Sequence, residues 1–305
     1  QSKITIFNTL SKRKELFVPL DLQRVTFYSC GPTLYDYAHI GNYRAFITYD
    51  IIKRWLQYCG YNVDHVCNLT DIDDKIINKM LLTGKSRREI VNKYEKAFYE
   101  DLKLLNILPA RAYPRVSDHI HDINHIITKL IQANHAYIRE NSIYFRVSSF
   151  PTYGELINKK IINTEKKEFG RNIAKNIDEK EDEKDFALWN SSNSGIGEVF
   201  WDSTYGPGRP GWHIECSAMC QRLLGDSIDL HAGGADLAFP HHCNEIAQSE
   251  AYTGKRLSRY WLHNGFVSVQ AQKMSKSLRN FKTLRDISQN PEDVRVYRYM
   301  VVASQ

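Results

Sequence analysis

The sequence predicts an α/β fold in which a parallel sheet is interrupted by an inserted mixed α/β segment. Three patterns lead to this prediction: a strand–helix–strand run in the first part of the chain, alternating helix and strand patterns after residue 206, and a mixed region between them. At 305 residues the chain is long enough for a large buried core, built as one domain with an insertion or as two domains.

The strand–helix–strand run lies near the amino terminus. Residues 24–30 alternate as a strand, apolar residues then recur at helical spacing from Tyr43 to Cys59, and Gly60 is suited to end that helix. Residues 62–70 predict a second strand. This order is a βαβ unit, which favours parallel pairing of its two strands.

The same periodicities predict the remaining elements. They are helices over 86–107 and 118–133, a hairpin over 137–147, a helix over 212–224, a strand over 228–231, a helix over 241–252 and a strand over 260–269. The charged run 178–185 predicts a solvated surface loop, and the acidic run 71–74 predicts a solvated helix start. We therefore divide the chain into a first half of the sheet domain (1–117), a connective insertion (118–205), a second half (206–270) and a basic loop with the start of a helical stem (271–305).

Composition excludes several classes of protein. Six cysteines are too few for a disulfide scaffold in this chain, and no stretch approaches the roughly 20 apolar residues of a membrane span. A charged segment at 11–15 interrupts any amino-terminal signal peptide. We therefore expect a cytoplasmic protein, in which clustered Cys and His are metal ligands or ordinary core residues. The net charge of +6 favours contact with nucleic acid only slightly.

The tetrapeptide His39-Ile40-Gly41-Asn42 lies where a loop enters the first predicted helix. Backbone N–H groups and the helix dipole at such a start favour phosphate binding. Gly41 permits close approach of a ligand, and His39 can donate a hydrogen bond to a phosphoryl oxygen. The alternative is a helix-cap histidine without a ligand.

A second string, Lys-Met-Ser-Lys-Ser at 273–277, places Lys273 and Lys276 three residues apart on a polar segment. Two such lysines can reach a triphosphate and stabilise the charge of a leaving pyrophosphate. The alternative is an ordinary basic loop. The sequence contains no Gly-x-x-x-x-Gly-Lys phosphate loop. On a βαβ background, the two strings together favour a Rossmann-like nucleotide-binding domain. Where the nucleotide is ATP, Mg²⁺ is expected to accompany it on general grounds.

Metal-ligating residue types form a second constellation. His241 and Glu245 are four residues apart on one face of a predicted helix, Cys216 lies in another predicted helix, and Cys30 ends the first strand. Two thiolates, one imidazole and one carboxylate make a suitable set for Zn²⁺. Spacing does not select these four uniquely, and ordinary buried cysteines with a helix-start histidine remain an alternative. The competing ligands are His213, Cys220, His242 and Cys243.

Longer strings in the sequence resemble the cysteinyl-tRNA synthetases, a family of class I aminoacyl-tRNA synthetases. The resemblance runs from near residue 5 to the end of the chain and is carried by residues 30–42, 68–75, 208–219, 239–245 and 273–277. It implies a zinc site made by Cys30, Cys216, His241 and Glu245. Two positions depart from the family pattern, since Asn42 replaces a second histidine and Cys243 replaces an acidic residue.

The resemblance also implies contacts with the small substrates. Trp212 would wall the amino-acid pocket, and Thr70 would contact the amino or carboxylate group of the substrate. The segment that contains Gly233, Gly234 and Asp236 would hold adenosine.

The implied reaction has two steps. Cysteine and ATP give cysteinyl-adenylate and pyrophosphate, and the cysteinyl group then passes to the 3′ end of tRNA(Cys). His39 and Asn42 would meet the phosphates, and the two lysines of the 273–277 string would stabilise the transition state. Zinc would select the substrate thiolate over a serine hydroxyl, so that no separate editing step is needed.

Members of the family continue into a helical stem and a carboxyl-terminal anticodon-binding domain, which is absent from this sequence. We therefore expect a fragment of a longer protein, acting as a monomer. Two alternatives remain open. One is a mycothiol-pathway cysteine ligase that joins cysteine to an amino sugar, and the other is a synthetase-derived RNA-binding module without catalysis.

Overall fold

The structure is a computed structural model that describes residues 4–140, 142–157, 180–191, 199–269, 272–274, 276, 280–287 and 290–304. Among these residues, no helix combines the length and the apolar character that crossing a membrane requires. Strands and helices alternate along the chain, which confirms the predicted α/β class.

The described elements are as follows. The strands are β1 (Thr5–Asn8), β2 (Arg13–Leu16), β3 (Val25–Ser29), β4 (Val63–Cys67), β5 (Ala136–Arg139), β6 (Ser142–Phe145), β7 (Phe186–Ser191), β8 (Gly208–Pro210), β9 (Ile228–Gly234), β10 (Ser258–Asn264), β11 (Ser268–Val269) and β12 (Gln272–Lys273). The helices are α1 (Ile40–Tyr58), α2 (Asp74–Thr83), α3 (Arg87–Leu104), α4 (Ile120–Gln132), α5 (Trp212–Leu224), α6 (Cys243–Thr253), α7 (Leu284–Ile287) and α8 (Pro291–Ala303).

The central sheet has the strand order β10-β9-β3-β4, and all of its pairs are parallel. The chain passes from β3 through α1 to β4 on one side, and it later returns to β9 on the other side of β3. All five residues of β3 are buried, as expected for a parallel strand that is covered on both faces. The strand order therefore reverses between β3 and β9, and such sheets bind ligands beyond the carboxyl ends of the strands at this point.

A second, antiparallel sheet has the order β5-β6-β7-β8 and lies in the predicted insertion. One apolar core includes Ile126 and Phe145 of this region together with Ile214 and Ile246 of the following helices. The insertion thus packs against the second half of the sheet domain. Its last strand, β8 at Gly208–Pro210, lies entirely after the predicted end of the insertion at residue 205. The division into domains stays a prediction.

The segment after the lysine string packs against α1. Leu284 of α7 and Val294 of α8 are buried in the same core cluster as Tyr43 and Leu56 of α1. The end of the chain is thereby attached to the helix that begins at the predicted phosphate site.

The predicted βαβ unit is confirmed, because β3 and β4 pair in parallel with Val25 opposite Val63. The first helix begins at Ile40 rather than at Tyr43, since His39 caps it. Gly60 follows its end with φ at 91°, in the left-handed region that glycine adopts readily.

Three local predictions were only partly confirmed. Residues 181–183 of the charged run are exposed, and the helix expected at the acidic run begins at Asp74 with Asp73 as its cap. Asp185, at the end of the charged run, is 1% exposed and accepts a hydrogen bond from Tyr137 Oη. Asp71 of the acidic run is also 1% exposed and pairs with Arg87. In each run, one carboxylate turns inward to bond buried donors, which a charge pattern does not show. The strand predicted over 260–269 is divided, because β11 leaves β10 and pairs with β12 instead. Residues 178–179 of the charged run and residue 141 of the hairpin lie outside the described residues.

Candidate active site

The candidate site lies where the strand order of the central sheet reverses. Cys30 follows the carboxyl end of β3, and its N–H donates to the carbonyl of Ala232 in β9 at 3.1 Å. β9 ends at Gly234, and Thr70 follows β4 on the other side of β3. Three separate segments of the chain therefore deliver predicted site residues to one edge of the sheet.

The four predicted zinc ligands meet at this edge. One donor atom from each lies within 4.8 Å of the others, and the set comprises Cys30, Cys216, His241 and Glu245. These residues are between 0% and 8% exposed. Donors around a tetrahedral Zn²⁺ are about 3.3–3.8 Å apart at ordinary bond lengths, so the cluster is close to the size that zinc requires. Two sulfurs, one nitrogen and one oxygen also fit the ligand chemistry of zinc.

Glu245 supplies the negative oxygen of this cluster. Its Oε2 lies 2.9 Å from His231 Nε2, and its Oε1 lies 3.1 Å from His241 Nε2. Oε1 is buried, and its contact with Nε2 of His241 does not have the geometry of a hydrogen bond. Burial alone would raise the pKa of Glu245, but the two imidazoles hold that pKa at about 2. An ionised carboxylate with a buried, unbonded oxygen suits a metal cation.

The two thiols of the cluster ionise differently. A hydrogen bond from Cys30 lowers the pKa of Cys216 to about 6, although burial acts in the opposite direction. The bond with Cys216, and then burial, raise the pKa of Cys30 well above its ordinary value. Burial would lower the pKa of His241, but Glu245 and Cys216 raise it to about 10. The cluster therefore combines a thiolate, a carboxylate and an imidazolium, whose proton a bound metal cation would replace.

His213 holds the ring of His241 from the opposite side. The two Nδ1 atoms are 2.9 Å apart, and burial followed by repulsion from His241 keeps the pKa of His213 well below its ordinary value. A neutral His213 accepts through Nδ1, so the Nδ1–H of His241 donates and its Nε2 faces Glu245. Histidines that bind metals usually have their second nitrogen fixed in this way.

A second possible group of ligands overlaps the first. It shares Cys30 and the carboxylate and adds donor atoms of His231 and His242. The two ring nitrogens of His242 already lie 3.3 Å from Cys30 Sγ and 2.7 Å from His263 Nε2. Only the first group contains Cys216, the thiol with the lowered pKa. The first group is therefore the better candidate for a metal that binds thiolate.

The competing cysteines belong to neither group among the described residues. Cys243 Sγ donates to the carbonyl of Ala238 at 3.2 Å. Cys220 is 0% exposed, and burial raises its pKa well above the ordinary value. Both thiols pack as parts of the apolar core.

Trp212 borders the cluster on its solvent side. The indole stacks on His241 with ring centroids 4.5 Å apart and is 46% exposed. Thr70 is only 4% exposed, and its Oγ1 accepts a hydrogen bond from Asn68 Nδ2. The indole therefore offers an open apolar wall beside the cluster, whereas the Thr70 hydroxyl is held inside the sheet edge.

Packing within the protein requires a glycine at position 233, whereas at position 234 an added Cβ meets only the end of the exposed Asp236 side chain, which can rotate away. A Cβ added at Gly233 would lie 2.6 Å from Cε1 of His242, and one added at Gly234 would lie 2.6 Å from Oδ1 of Asp236. The sequence suggested that these glycines allow a ligand to approach, or simply form a turn. The structure adds that Gly233 lets β9 approach the histidine cluster.

His39 caps α1, as the alternative reading of the tetrapeptide predicted. Its Nδ1 accepts from the N–H of Asn42 at 3.1 Å, and Oδ1 of Asn42 accepts from the N–H of His39 at 3.1 Å. The ring proton therefore lies on Nε2, which is the atom that can donate to a phosphoryl oxygen. A Cβ at Gly41 would lie 3.0 Å from His39 Nδ1, so the glycine also makes room for this cap. Capping and phosphate binding use different ring nitrogens and are compatible.

The lysine string lies next to a tyrosine of the opposite loop. Lys273 ends β12, and Ser275 and Ser277 lie outside the described residues. Lys276 Nζ is 4.4 Å from the ring centroid of Tyr35. Burial lowers the pKa of Lys276 to about 8, so the side chain remains largely charged at neutral pH.

Comparison with known proteins identifies the family. The sequence profile described as tRNA synthetases class I (C) catalytic domain matches residues 16–305. The chain belongs to this family. It is 45% identical to a cysteine–tRNA ligase of Trichodesmium erythraeum and 48% identical to one of Streptococcus pyogenes serotype M3, in each case over 99% of this chain. The chain spans 62% and 67% of the lengths of these two relatives.

A solved structure supports the fold of this synthetase domain. The methionyl-tRNA synthetase of Mycobacterium tuberculosis bound by methionyl-adenylate superposes with a TM-score of 0.65 at 14% identity. The match covers 92% of this chain and 64% of that one. It confirms the predicted Rossmann-like architecture with its parallel sheet.

The residues that hold the ligands were not predicted from the sequence. His213 was expected only as a competing ligand, and no separate role was predicted for His231 or His263. A signal was present, because these histidines and the pair at 241–242 all fall within the predicted second half of the sheet domain, residues 206–270. Nothing in the sequence pointed to Tyr28. Its burial, and next the charge of Cys216, raise the pKa of this tyrosine well above the ordinary value.

Proposed function

We propose that this domain activates cysteine with ATP and that the protein transfers the cysteinyl group to the 3′ end of tRNA(Cys). The observation that carries the proposal is the buried set of two cysteines, one histidine and one glutamate, whose donor atoms lie within 4.8 Å of one another. This set lies at the edge of the sheet from which the chain enters α1, the helix capped by His39. In this proposal, a cysteine-selective metal centre and a nucleotide site share one edge of the sheet. The similarity to cysteine–tRNA ligases over 99% of the chain supports the same reaction.

At the ATP end, positioning and electrostatics would perform the catalysis. Nε2–H of His39 would donate to a phosphoryl oxygen, and the amide of Asn42 would assist while its oxygen serves the cap. Lys273 and Lys276 would stabilise charge on the leaving pyrophosphate, with Mg²⁺ accompanying ATP. Gly41 leaves room for the His39 ring that caps the helix.

The turn after β9 would receive the adenosine. It is formed by Gly233, Gly234 and Asp236, and the exposed carboxylate would accept hydrogen bonds from the ribose hydroxyls.

At the amino-acid end, Cys30, Cys216, His241 and Glu245 would hold the metal. When bound there, Zn²⁺ supplies a Lewis acid that prefers a thiolate to a hydroxyl. Trp212 would close the pocket with its exposed indole, and Thr70 would place the substrate amino or carboxylate group at the end of the sheet. The substrate carboxylate then attacks the α-phosphate, and pyrophosphate leaves toward the lysines.

The proposal also covers the acceptor of the cysteinyl group, the oligomeric state and the cellular location. We propose tRNA(Cys) as the acceptor because the named relatives are cysteine–tRNA ligases. We expect a monomer in the cytoplasm. An amino-sugar acceptor and a non-catalytic RNA-binding module are the two outcomes that the following experiment separates from this proposal.

The first experiment measures exchange of labelled pyrophosphate into ATP by zinc-loaded protein, with cysteine and with serine. We expect exchange with cysteine and not with serine. Lys276→Ala should lower the rate by about 10²-fold, the usual effect of removing one donor to developing charge. Lys255→Ala is the control, because Lys255 pairs with Asp226 on the surface.

Absence of exchange in folded, zinc-loaded protein would contradict cysteine activation and would favour a binding module. Where exchange occurs, the longer protein is offered tRNA(Cys) transcripts and an amino sugar in parallel. Transfer to the amino sugar alone would contradict the tRNA acceptor while leaving cysteine activation intact.

A further inference from the structure

The segment that follows the lysine string is built directly onto the start of α1. The N–H of Ile40 donates to the carbonyl of Lys282 at 2.7 Å, and His39 forms an antiparallel bridge with Thr283. Tyr297 Oη of α8 donates to the carbonyl of Ile40. These bonds fix the backbone at 282–283 relative to the backbone of the phosphate site at 39–40.

Side chains connect this segment to Lys276. Its Nζ lies 4.4 Å from the ring centroid of Tyr35 and 5.9 Å from that of Phe281. The Phe281 ring lies in turn 6.4 Å from the ring of His39. A shift of the backbone at 281–283 would therefore move the surface on which Lys276 rests, relative to His39.

An ion pair outside the reacting centre fixes that segment. Arg285 Nη1 lies 3.0 Å from each carboxylate oxygen of Asp101 on α3. The Arg285 guanidinium also lies over the ring of Tyr37, with Cζ 4.4 Å from its centroid, and Nη2 is 3.6 Å from Glu100 Oε2. Tyr35 and Tyr37 belong to one loop. Lys276 and Arg285 therefore both pack against this loop.

Asp101 is an unusual anchor because it is buried. Its side chain is 2% exposed, whereas that of Arg285 is 37% exposed. Tyr43 Oη, from the residue after Asn42, donates to Asp101 Oδ2 at 2.6 Å. Burial raises the pKa of Asp101, while the bond from Tyr43 and the charge of Arg285 act against that rise. One carboxylate thus connects α1, α3 and α7 through directed bonds.

We propose that Arg285 and Asp101 are positioning residues that hold the segment 281–285 on α1 so that Lys276 meets the phosphates of ATP. The inference rests on the proposed function, since it concerns the adenylate-forming step. Neither residue needs to touch ATP. Their effect passes through the backbone bond between Ile40 and Lys282 and through Phe281.

The test is a double-mutant cycle on adenylate formation. Arg285→Gln should lower the rate of cysteine-dependent pyrophosphate exchange about tenfold, with the KM for cysteine unchanged. In a Lys276→Ala background, the same substitution should lower the rate less than about twofold, because the group it positions is already absent. Equal factors in the two backgrounds would overturn the proposal, since a merely structural role is additive.

Arg24→Gln is the matched control. Arg24 Nε donates to Asp64 Oδ2 at 2.8 Å, and this pair is also a partly exposed arginine on a largely buried aspartate, with exposures of 44% and 11%. It lies at the amino ends of β3 and β4, opposite the candidate site. We expect the exchange rate of Arg24→Gln to stay within about twofold of wild type. Should Arg285→Gln fail to fold, Arg285→Lys replaces it, because lysine keeps the charge but cannot form the same planar contacts with the carboxylate and the Tyr37 ring.

A second readout does not depend on activity. Competitive acylation of amines at several pH values, quantified by mass spectrometry, reports the pKa of Lys276. Wild type should give a pKa of about 8, set by burial and by the neighbouring Asp36, Lys75 and Lys79. Arg285→Gln should move this pKa toward the ordinary lysine value of about 10.4 as Lys276 leaves the Tyr35 ring.

An unchanged labelling pKa would overturn the proposal. The two readouts also separate the two hypotheses. If wild type shows no cysteine-dependent exchange, the proposed function fails, and the labelling result alone then supports or overturns the positioning role.

Discussion

Cys216 and Cys220 lie one turn apart on the same face of α5, and both are buried. Their thiols nevertheless differ in acidity. The bond from Cys30 lowers the pKa of Cys216 to about 6, whereas burial raises the pKa of Cys220 well above its ordinary value. A single turn of helix therefore separates a thiol that can bind a metal at neutral pH from a thiol of the core.

This difference predicts the zinc content of two variants. Cys216→Ser should lower zinc affinity by more than about 10²-fold, because even outer partners of metal ligands contribute 10–100-fold. Cys220→Ser should keep one zinc per chain. The measurement is metal analysis after dialysis, with chelator competition for the affinity. Retention of zinc by Cys216→Ser would instead favour the group that contains His231 and His242.

How much of the site the sequence revealed depends on the kind of residue. His241 and Glu245 could be predicted, because helical spacing places residues four apart on one face. The support of His241 by His213 could not, since it depends on how α5 and the turn at 238–242 pack across the sheet. The capping bond of Asn42 was also missed, because the resemblance drew attention to its possible ligand.

At the scale of elements, β9 and the turn before α6 meet at Gly233. A Cβ at this position would lie 2.6 Å from His242 Cε1 and 2.9 Å from its Nε2. His242 is 0% exposed, so its ring cannot move away from the added Cβ without disturbing its neighbours. Gly233→Ala should therefore lower the free energy of unfolding by about 1–3 kcal/mol, the usual cost of overpacking a core.

Gly265→Ala is the control, because an added Cβ there meets no atom of the described residues within 4 Å. Urea denaturation of both variants measures the two free energies. Equal stabilities would show that strand and turn are not in tight contact at Gly233.

Element boundaries were predictable where local chemistry decides them. The helix over 212–224 was predicted with both of its ends, since turn residues and Gly225 bound it. The strand over 260–269 was not, because β11 has its partner in β12 and no local pattern states which strands pair. Asp185 illustrates the same limit, since its burial depends on donors such as Tyr137 that are distant in sequence.

At the scale of the whole molecule, the sheet encloses histidines that remain neutral. His65 in β4 is an example away from the proposed ligands: its Nε2 lies 2.8 Å from Ser29 Oγ, and its ring stacks on Phe27 at 4.4 Å. Burial, and then the charge of Lys53, lower the pKa of His65 to about 3. Protonation in the unfolded chain, near the ordinary pKa of about 6.5, therefore competes with folding.

The sign of the resulting pH dependence follows from these two pKa values. Between pH 6.5 and about 3, the unfolded chain binds a proton at His65 and the folded chain does not, so stability falls as pH falls. His65 alone should contribute a loss of stability approaching about 1.4 kcal/mol per pH unit within this window.

Substitution His65→Asn should remove that part of the slope, although it also lowers stability at pH 7 by disturbing the contact with Phe27. Urea denaturation of wild type and variant at pH 7, 6 and 5, both in chelator, measures the two slopes. The control is His121→Asn, an exposed histidine on α4, which should keep the wild-type slope. Parallel slopes for wild type and His65→Asn would show that His65 takes up its proton in the folded protein as readily as in the unfolded chain, and the enclosed strand would then be open to water on this timescale.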